Sequence, residues 1–426
     1  NLTNKQVEKV LVYLEDQYTN ARIHPGEAIG VVTAESFGEP GTQMSTSRDE
    51  KIFVKFHDKI YPVPIGTFVD GLMTLKGALR IGESEILPLH DLGVYVPSLD
   101  STEKISWKRV MECSRHKTCK NLLRLTTASG RAITCTDNHS FVTRMHNTVV
   151  PVKGSELKIG DRLPVVSHLP LGQEPLQRVD LSSHIDLDVE HLLVQHGVLM
   201  RTGAGSRAKP LSNSFELSWL NGWFVGAYLA EGFSNGYQTS LSNMNDSYLS
   251  RARTFFTQTG LDYSKDLHHR GFAQSHDIKV NSSFLSQFIA NTCGHDSYTK
   301  RVPDFAFGAS DKFVAGLLRG YFDGDGNVHV ARKMIRASSN SRDLRDGVAL
   351  LLARFNIFSF KITDKKDQHW LLIPYKYAPL VWVTRFSLKV PFNFVKQFNI
   401  GIVLTSHILS IFWFWNLAIT NLLLLI

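Results

Sequence analysis

The chain has 426 residues, of which 43% are hydrophobic and 20% are charged, a balance that excludes a disordered protein. Its length favours two or three domains, and its formal net charge of +8 favours a polyanionic partner. The four cysteines lack the Cys-x-x-Cys spacing of a zinc site, so we expect reduced thiols and a cytoplasmic location. The chain opens on Asn1 with neither an initiator methionine nor a signal peptide, which suggests a fragment or a processed product.

The first 44 residues form a short segment of their own. Residues 4–19 carry apolar side chains at helical spacing, among them Val7 and Leu11, and predict one amphipathic helix. Residues 38–44 then read Gly-Glu-Pro-Gly-Thr-Gln-Met. This segment resembles the approach to the trigger loop in the largest-subunit family of multisubunit RNA polymerases, in particular the archaeal A-double-prime subunit. The resemblance implies DNA-directed RNA synthesis as the host function and the other RNA polymerase subunits as partners after splicing.

After Met44 the polymerase pattern stops, and a different sequence opens on the hydroxyl residue Ser45. Short strands separated by turns follow, for example at 51–56 and 131–136, and predict an all-β segment. Together with Thr-Asp-Asn-His at 136–139 and Leu-Lys-Ile-Gly-Asp at 157–161, this pattern resembles the Hint fold of inteins. The resemblance implies an N-terminal splicing domain over residues 45–175.

The chemistry of such a junction is simple. A serine hydroxyl next to a peptide bond can attack the preceding carbonyl and turn the amide into an ester, if the leaving nitrogen gains a proton. Histidine suits that proton transfer near neutral pH. We therefore expect His139 to protonate the nitrogen of the Met44–Ser45 bond and Thr136 to hydrogen-bond and orient the junction. Splicing also requires a closing His-Asn pair, which the sequence does not show, so we expect cleavage after Met44 and no ligated product.

Two similar apolar segments then dominate the chain. Residues 224–232 read Phe-Val-Gly-Ala-Tyr-Leu-Ala-Glu-Gly, and residues 318–326 read Leu-Arg-Gly-Tyr-Phe-Asp-Gly-Asp-Gly. Helices pack closely where glycine replaces a side chain, which would set Glu231 and Asp325 side by side. The pair resembles the duplicated signature of LAGLIDADG homing endonucleases. The resemblance implies a duplicated αββαββα domain over 176–382, in which both acids are catalytic and bind Mg²⁺ or another divalent metal to cut double-stranded DNA.

The same resemblance suggests further site residues. The segment at 298–303, Tyr-Thr-Lys-Arg-Val-Pro, is similar to the Lys-Lys-Ile-Pro motif of intein endonucleases, which makes Lys300 the candidate catalytic lysine and Arg301 the alternative. Residues 237–242 and 272–281 alternate like strands whose polar face lies on DNA. The target would be the polymerase gene that lacks the insert. Candidates for phosphate contacts are the basic residues of this region, Arg251, Arg253, Lys265, Arg270 and Lys279.

Other interpretations fit less well. An EF-hand loop starting at Asp323 would need glycine where Val328 stands and glutamate where Met334 stands. The magnesium motif of RNA polymerases belongs to another part of the large subunit and lacks the helical run seen here. A catalytically dead intein remnant that only binds DNA remains the alternative function.

The last segment, residues 383–426, does not follow the endonuclease pattern. Residues 397–426 contain no charged residue and are long enough to pass for a transmembrane helix. We expect a frame-shift product or a decayed terminus and no membrane association, because an anchor has no role beside an intein inside a polymerase. The overall expectation is an α+β multidomain chain: a short helical polymerase segment, an all-β Hint domain, the duplicated endonuclease domain and an apolar tail.

Overall fold

The computed structural model describes residues 45–57, 59–99, 103–117, 122–146, 148–166, 175–185, 192–201, 209–270 and 273–377. The predicted polymerase segment, residues 1–44, and the predicted aberrant tail, residues 383–426, lie outside these ranges. Within the described ranges, no helix is both long and apolar enough to cross a bilayer.

Short antiparallel strands are the main secondary structure of residues 45–166. Four of them form one sheet in the order β2-β1-β5-β6, three form a second in the order β3-β4-β7, and two hairpins pair β8 with β9 and β10 with β11. A single 3₁₀ turn, Gly154–Glu156, follows the last hairpin. The strands are β1 Lys51–Phe56, β2 Lys59–Pro64, β3 Leu79–Ile81, β4 Ser84–Pro88, β5 Tyr95–Leu99, β6 Ile105–Arg109, β7 Glu112–His116, β8 Leu122–Thr126, β9 Ala132–Thr136, β10 Ser140–Met145 and β11 Thr148–Lys153.

One helix corrects the prediction of an all-β segment. Helix α1, Ile65–Lys76, begins directly after Pro64 and ends at Gly77, whose φ of +79° suits glycine. Val69 and Met73, four residues apart, are its buried side chains and pack with Leu87 and Leu89 in a small separate core. The four-residue spacing of Val69 and Met73 is the signal in the sequence that would have predicted this helix.

A linking region joins this part to the paired helices. Strand β12, Arg178–Asp180, pairs with β16, Ser214–Glu216, and a 3₁₀ turn, Leu181–His184, follows β12. A small sheet lies between them in the chain, formed by β13 Leu192–Gln195, β14 Val198–Arg201 and β15 Leu211–Ser212.

Residues 219–374 contain the same arrangement twice: a long helix, two strands, a second helix and two more strands. The two four-stranded antiparallel sheets have corresponding strand orders, β17-β18-β20-β19 and β21-β22-β24-β23. A 3₁₀ turn, Tyr375–Tyr377, ends the described part. The elements are α2 Trp219–Glu231, β17 Gly232–Ser234, β18 Gln238–Asn243, α3 Asp246–Gln258, β19 Tyr263–Arg270, β20 Ala273–Asn281, α4 Ser283–Cys293, α5 Phe305–Gly308, α6 Asp311–Asp325, β21 Asn327–His329, β22 Met334–Ser339, α7 Arg342–Ala353, β23 Phe360–Thr363 and β24 His369–Pro374.

The two long helices, α2 and α6, form the centre of the main core. Each begins at a serine whose hydroxyl caps the first turn: Ser218 accepts from Asn221 N and Ser310 accepts from Phe313 N. Aromatic side chains pack around the pair, and the rings of Phe224 and Phe255 stack with their centres 3.8 Å apart. Burying each such ring stabilises the fold by about 2 kcal/mol, so this cluster holds the helices firmly in place.

Candidate functional sites

Glycines let α2 and α6 approach until their backbones touch. A Cβ at Gly222 would lie 2.1 Å from Phe313 O, and one at Gly226 would lie 1.9 Å from Leu317 O. Glycines of α6 face α2 in the same way, because a Cβ at Gly320 would lie 2.1 Å from Trp223 O. Any side chain at these contacts would force the two helices apart.

The same contacts show that the two helices are parallel and in register. Gly222 of α2 meets Phe313 of α6, and Gly226, one turn later, meets Leu317, also one turn later. Near the helix ends, a Cβ at Gly324 would lie 2.5 Å from Ala230 Cβ and 2.9 Å from Glu231 Cγ. Glu231 is the last residue of α2, and Asp325 is the last residue of α6. The two acids therefore lie at adjacent helix ends, where the sequence had placed them.

Lys300 lies beside these acids. Its side chain is 6% exposed, and its Nζ donates a hydrogen bond to Ala230 O at 3.3 Å. Burial lowers the pKa of Lys300 to about 8, opposed by the charges of Asp325 and Glu231. Arg301, the alternative catalytic residue, instead donates to the carbonyl of Asn291, away from the acids.

The same two acids also affect the pKa of a buried tyrosine, Tyr248. Tyr248 donates its hydroxyl to Ala227 O at 3.0 Å, and burial raises its pKa well above the ordinary value. The carboxylates of Glu231, Asp325 and Asp323 raise it further. Because Glu231 and Asp325 both act on Lys300 and on Tyr248, these four side chains form one electrostatic neighbourhood.

The donor chemistry of this site fits a hard divalent cation. Two carboxylates at helix C-termini offer oxygen ligands in a region of partial negative charge, which suits Mg²⁺, Mn²⁺ or Ca²⁺. Within the described part of the chain, no three His, Cys, Asp or Glu side chains cluster as a metal site. Glu231 and Asp325 are two side chains that could hold such an ion, with water and phosphate oxygens as further ligands.

A third acid beside this pair has a structural partner that the sequence analysis missed. Asp323 Oδ2 accepts from Arg319 Nε at 2.6 Å and from Arg251 Nη1 at 3.2 Å. Arg319 is buried, and Arg251 lies over the ring of Trp223 at 5.9 Å. Arg251, predicted to contact phosphate, is therefore held by Asp323 beside the acids. The four-residue spacing of Arg319 and Asp323 on one helix was the available signal.

Strand register sorts the other basic candidates in the first sheet. Buried Ile278 of β20 pairs with Lys265, so Lys265 shares the helix-covered side of the sheet at its outer strand. Arg253 lies on α3, which packs on that same side. Lys279 lies on the opposite side and donates to Asp266 at 2.9 Å, and Arg270 pairs with Ala273 at the far end of β19. The uncovered side also carries Gln238, Ser240, Ser242, Asp277 and Lys279.

The second sheet presents one basic residue that the sequence analysis did not single out. Arg336 of β22 alternates with buried Ile335 and Ala337 and so lies on the uncovered side. Its Nε donates to Asn327 Oδ1 at 3.0 Å, and its guanidinium lies 5.2 Å from the ring centre of Trp370. The alternation of 334–339 was the signal that would have identified it.

At the other predicted site, Thr136 holds the Ser45 backbone by three hydrogen bonds. Thr136 Oγ1 accepts from Ser45 N at 3.1 Å and donates to Ser45 O at 3.4 Å, and Thr136 N donates to Ser45 O at 2.9 Å. The chain continues alongside β9 through a bridge between Thr46 and Cys135. Ser45 N is the nitrogen of the Met44–Ser45 bond, and Met44 itself lies outside the described residues.

His139 follows Thr136 in the same turn. Its N–H donates to Thr136 O at 3.1 Å, and its carbonyl accepts from Gly154 N at 2.9 Å. Burial lowers the pKa of the imidazole, and the ring of Phe141 lies edge-on at 5.0 Å. Its buried Nδ1 has no hydrogen-bond partner among the described residues. A lowered pKa makes the protonated imidazole a stronger acid and leaves a smaller fraction of it protonated at neutral pH.

Comparison with known proteins gives the family context. Residues 312–376 match the LAGLIDADG-like domain family. The chain is 44% identical over 380 residues to the DNA-directed RNA polymerase subunit Rpo1C of Methanocaldococcus jannaschii. That match covers 89% of this chain but 43% of the relative, so the chain spans less than half of that protein's length.

Two kinds of solved structure overlay on parts of the chain. A transcription factor IIB Mvu mini-intein covers 29% of this chain and 70% of its own, at 29% identity and a TM-score of 0.28. The homing endonuclease I-DmoI in complex with DNA and Mn covers 40% of this chain and 98% of its own, at 11% identity and a TM-score of 0.33. Both scores are below 0.5, so the assignment depends on the sequence matches. The chain belongs to the family of the archaeal RNA polymerase subunit Rpo1C and contains a LAGLIDADG-like domain.

Proposed function

We propose that residues 176–382 form a homing endonuclease that cuts both strands of DNA with Mg²⁺ or another divalent metal. The observation that carries this proposal is the placement of Glu231 and Asp325 at the adjacent ends of two parallel helices, with buried Lys300 beside them. The net charge of +8 is consistent with a polyanionic substrate. The related I-DmoI structure is itself a complex with DNA and Mn.

The reaction is hydrolysis of a phosphodiester. Water oxygen forms a bond to phosphorus and gives up a proton to solvent, while the bond to the leaving 3′ oxygen breaks and that oxygen takes up a proton from solvent to become a hydroxyl. A bound metal would supply Lewis-acid polarisation of the phosphate and of the attacking water. Glu231 and Asp325 would hold that ion. Lys300, when protonated, would stabilise the charge that develops on the phosphoryl oxygens, because its burial strengthens each electrostatic contact.

DNA would lie on the uncovered sides of the two sheets. In the first sheet, Gln238, Ser240 and Ser242 offer amide and hydroxyl groups for base edges, and Lys279 offers a cation. In the second sheet, Arg336 takes the corresponding role. Of the basic residues predicted from the sequence, Lys279 is thus the best placed. Arg253 and Lys265 would reach only DNA that wraps beyond the sheet, and Arg270 would act at its end.

A plasmid carrying the uninterrupted polymerase sequence tests this proposal. We expect the parent chain with Mg²⁺ to linearise it, and Glu231→Gln and Asp325→Asn each to abolish cutting while retaining binding in a gel-shift assay. Asp262→Asn is the matched control, because this exposed aspartate pairs only at the surface with Lys209. If both site variants cut as the parent does, the assignment is wrong. If the parent binds and never cuts, the dead-remnant alternative is correct.

A second activity is supported by a separate observation: the nitrogen of the Met44–Ser45 bond donates to Thr136 Oγ1. We infer that residues 45–175 carry out the ester-forming step of protein splicing. Ser45 Oγ attacks the carbonyl carbon of Met44, the C–N bond breaks, and an ester replaces the amide. The hydroxyl proton leaves with solvent, and His139 delivers a proton to the freed nitrogen, so no atom is gained or lost.

Hydroxylamine tests this second activity, because it cleaves esters far faster than amides. We expect it to release a fragment ending at Met44, identified by mass, from the parent chain. Ser45→Ala should release none, and His139→Ala should release it slowly. Equal release from parent and Ser45→Ala would disprove ester formation at this bond.

The similarity to Rpo1C extends the proposal to the host protein. We propose that residues 1–44 are part of a polymerase subunit that joins the other RNA polymerase subunits in the cytoplasm after the insert is removed. Pull-down of polymerase subunits by an uninterrupted subunit that contains residues 1–44 without the insert, and not by the chain with the insert, would support this assignment.

A further inference from the structure

We propose that the nuclease part of the chain is a scaffold for the splice junction, and that Gly130 and Arg131 are positioning residues for ester formation at Met44–Ser45. The inference depends on the second proposed function. It starts from the turn at 127–131, which joins β8 to β9 and lies against β23, the outer strand of the second sheet.

The turn binds β23 as an additional strand would. Lys361 N donates to Ser129 O at 2.9 Å, which satisfies a main-chain donor on the outer edge of the sheet. Arg131 Nη1 donates to Ser359 O at 3.1 Å, and its guanidinium lies 4.6 Å from the ring centre of Phe358. A main-chain bond, a charged donor and a ring contact thus fix the turn on the nuclease part.

Gly130 makes this approach possible. Its φ is +77°, and a Cβ there would lie 1.7 Å from Lys361 O. The turn is also closed internally, because Thr127 N donates to Arg131 O at 2.8 Å and Gly130 N donates to Thr127 O at 2.9 Å. A side chain at residue 130 would push the turn away from β23 as a unit.

Strand β9 begins at Ala132, directly after the turn, and leads to the junction. Thr134 O accepts from Ser47 N at 2.8 Å, and Thr136 Oγ1 accepts from Ser45 N at 3.1 Å. Five residues of extended chain, about 17 Å, separate Arg131 from Thr136. A displacement of the turn is therefore passed along one strand to the bond that reacts.

The junction is anchored from its other side as well. Lys51, the first residue of β1, has its Nζ 2.8 Å from Asp343 Oδ1, and the rings of Phe53 and Phe307 lie 5.5 Å apart. Ile60 of β2 belongs to the main core of the nuclease part. Residues 45–50 are thus held between two strands, β9 and β1, and both strands are bound to the nuclease part.

The carboxylate of Asp346 and the cations around it also hold the turn in place on the nuclease part. Asp346 Oδ1 lies 2.8 Å from Arg345 Nη2 and 3.2 Å from Lys361 Nζ. Burial lowers the pKa of Arg131, and the charge of Asp346 opposes that shift. Asp346 thus attracts two cations of the nuclease part, Arg345 and Lys361, and also Arg131 of the turn, which favours the observed position of the turn.

The test measures hydroxylamine cleavage of the full chain at saturating hydroxylamine, where ester formation limits the rate. We expect Arg131→Ala and Gly130→Ala to slow cleavage by about tenfold, because a shifted junction misaligns the attacking oxygen. Arg124→Ala is the matched control, since this exposed arginine on β8 pairs opposite Thr134. It should leave the rate unchanged. Arg131→Lys should restore part of the rate, because its ammonium can still donate to Ser359 O.

Amide hydrogen exchange of residues 45–50 provides a readout that a general loss of stability would not mimic. Under conditions where circular dichroism shows all variants folded, we expect this peptide to exchange faster than in the parent in Arg131→Ala and Gly130→Ala. In Arg124→Ala its exchange rate should equal that of the parent. If both turn variants cleave and exchange at the parental rates, the inference is wrong, but ester formation at Met44–Ser45 is still supported. A parent chain that releases no fragment would overturn ester formation itself, and the inference with it.

Discussion

Replacing Gly226 by alanine tests whether the contact between the long helices sets the catalytic geometry. The new Cβ would lie 1.9 Å from Leu317 O and 2.8 Å from Tyr321 N, whereas Cβ atoms essentially never come closer than 3.0 Å to such neighbours. The helices must therefore separate locally by about 1.1 Å. Glu231 lies five residues further along the same helix, so this separation reaches the paired acids.

The expected effects follow from that displacement. Metal ligands tolerate deviations of about 0.2 Å, and a shift of about 1 Å in a reacting group lowers rates by about a hundredfold. We expect Gly226→Ala to lower single-turnover plasmid cleavage by that factor. Overpacking should reduce the free energy of unfolding by about 1–3 kcal/mol, partly offset by about 0.5–1 kcal/mol because alanine restricts the unfolded chain. Urea denaturation measures this difference.

Gly71→Ala is the matched control, because Gly71 also lies inside a helix and a Cβ there would meet nothing within 4 Å. It should raise the free energy of unfolding by about 0.5–1 kcal/mol and leave cleavage unchanged. If Gly226→Ala cuts DNA at the parental rate and unfolds at the parental urea concentration, close backbone contact does not position the acids.

Three further predictions concern single side chains. Lys300 has a pKa of about 8 in the folded chain against an ordinary value of 10.5. Its contribution to stability is therefore complete above pH 10.5 and is lost as pH falls through 8. We expect Lys300→Met to have a higher Tm than the parent at pH 7, with a difference that shrinks toward pH 10.5. A pH-independent difference would contradict this. Thr136→Val removes the acceptor for Ser45 N and should slow hydroxylamine release by about tenfold, and an unchanged rate would show that the bond has no catalytic effect. Asp323→Asn removes the carboxylate that accepts from the buried guanidinium of Arg319 and should lower the free energy of unfolding by about 3 kcal/mol in urea. A change below about 0.5 kcal/mol would mean that this ion pair does not stabilise the fold.

The helix pair was predictable from the sequence because its requirements are local. Glycine at residues 226 and 320 and an acid before each closing glycine specify close parallel helices with paired carboxylates, and the structure has them. Thr136 was predictable for the same reason, since a short motif already states its distance from His139. In both cases the chemistry and the spacing lie within a few consecutive residues.

Contacts between distant parts of the chain were not predictable in this way. Arg131 and Ser359 are 228 residues apart, and no pattern near either residue announces the other. The side of the sheet on which Lys265 lies depends on its pairing with Ile278, which hydropathy alone does not specify. The helix over Ile65–Lys76 was not predicted, although the four-residue spacing of Val69 and Met73 is a local signal for it.

The contact of the 127–131 turn with β23 also bears on solubility. An outer strand with free main-chain donors and acceptors is a template for another chain, and proteins usually cover or charge such edges. Here the cover is supplied by a part of the chain with a different task. A nuclease fragment cut free of residues 45–166 would expose Lys361 N, Ser359 O and the ring of Phe358 together. Separating the two parts therefore requires a new cover for that strand, and its absence favours edge-to-edge aggregation.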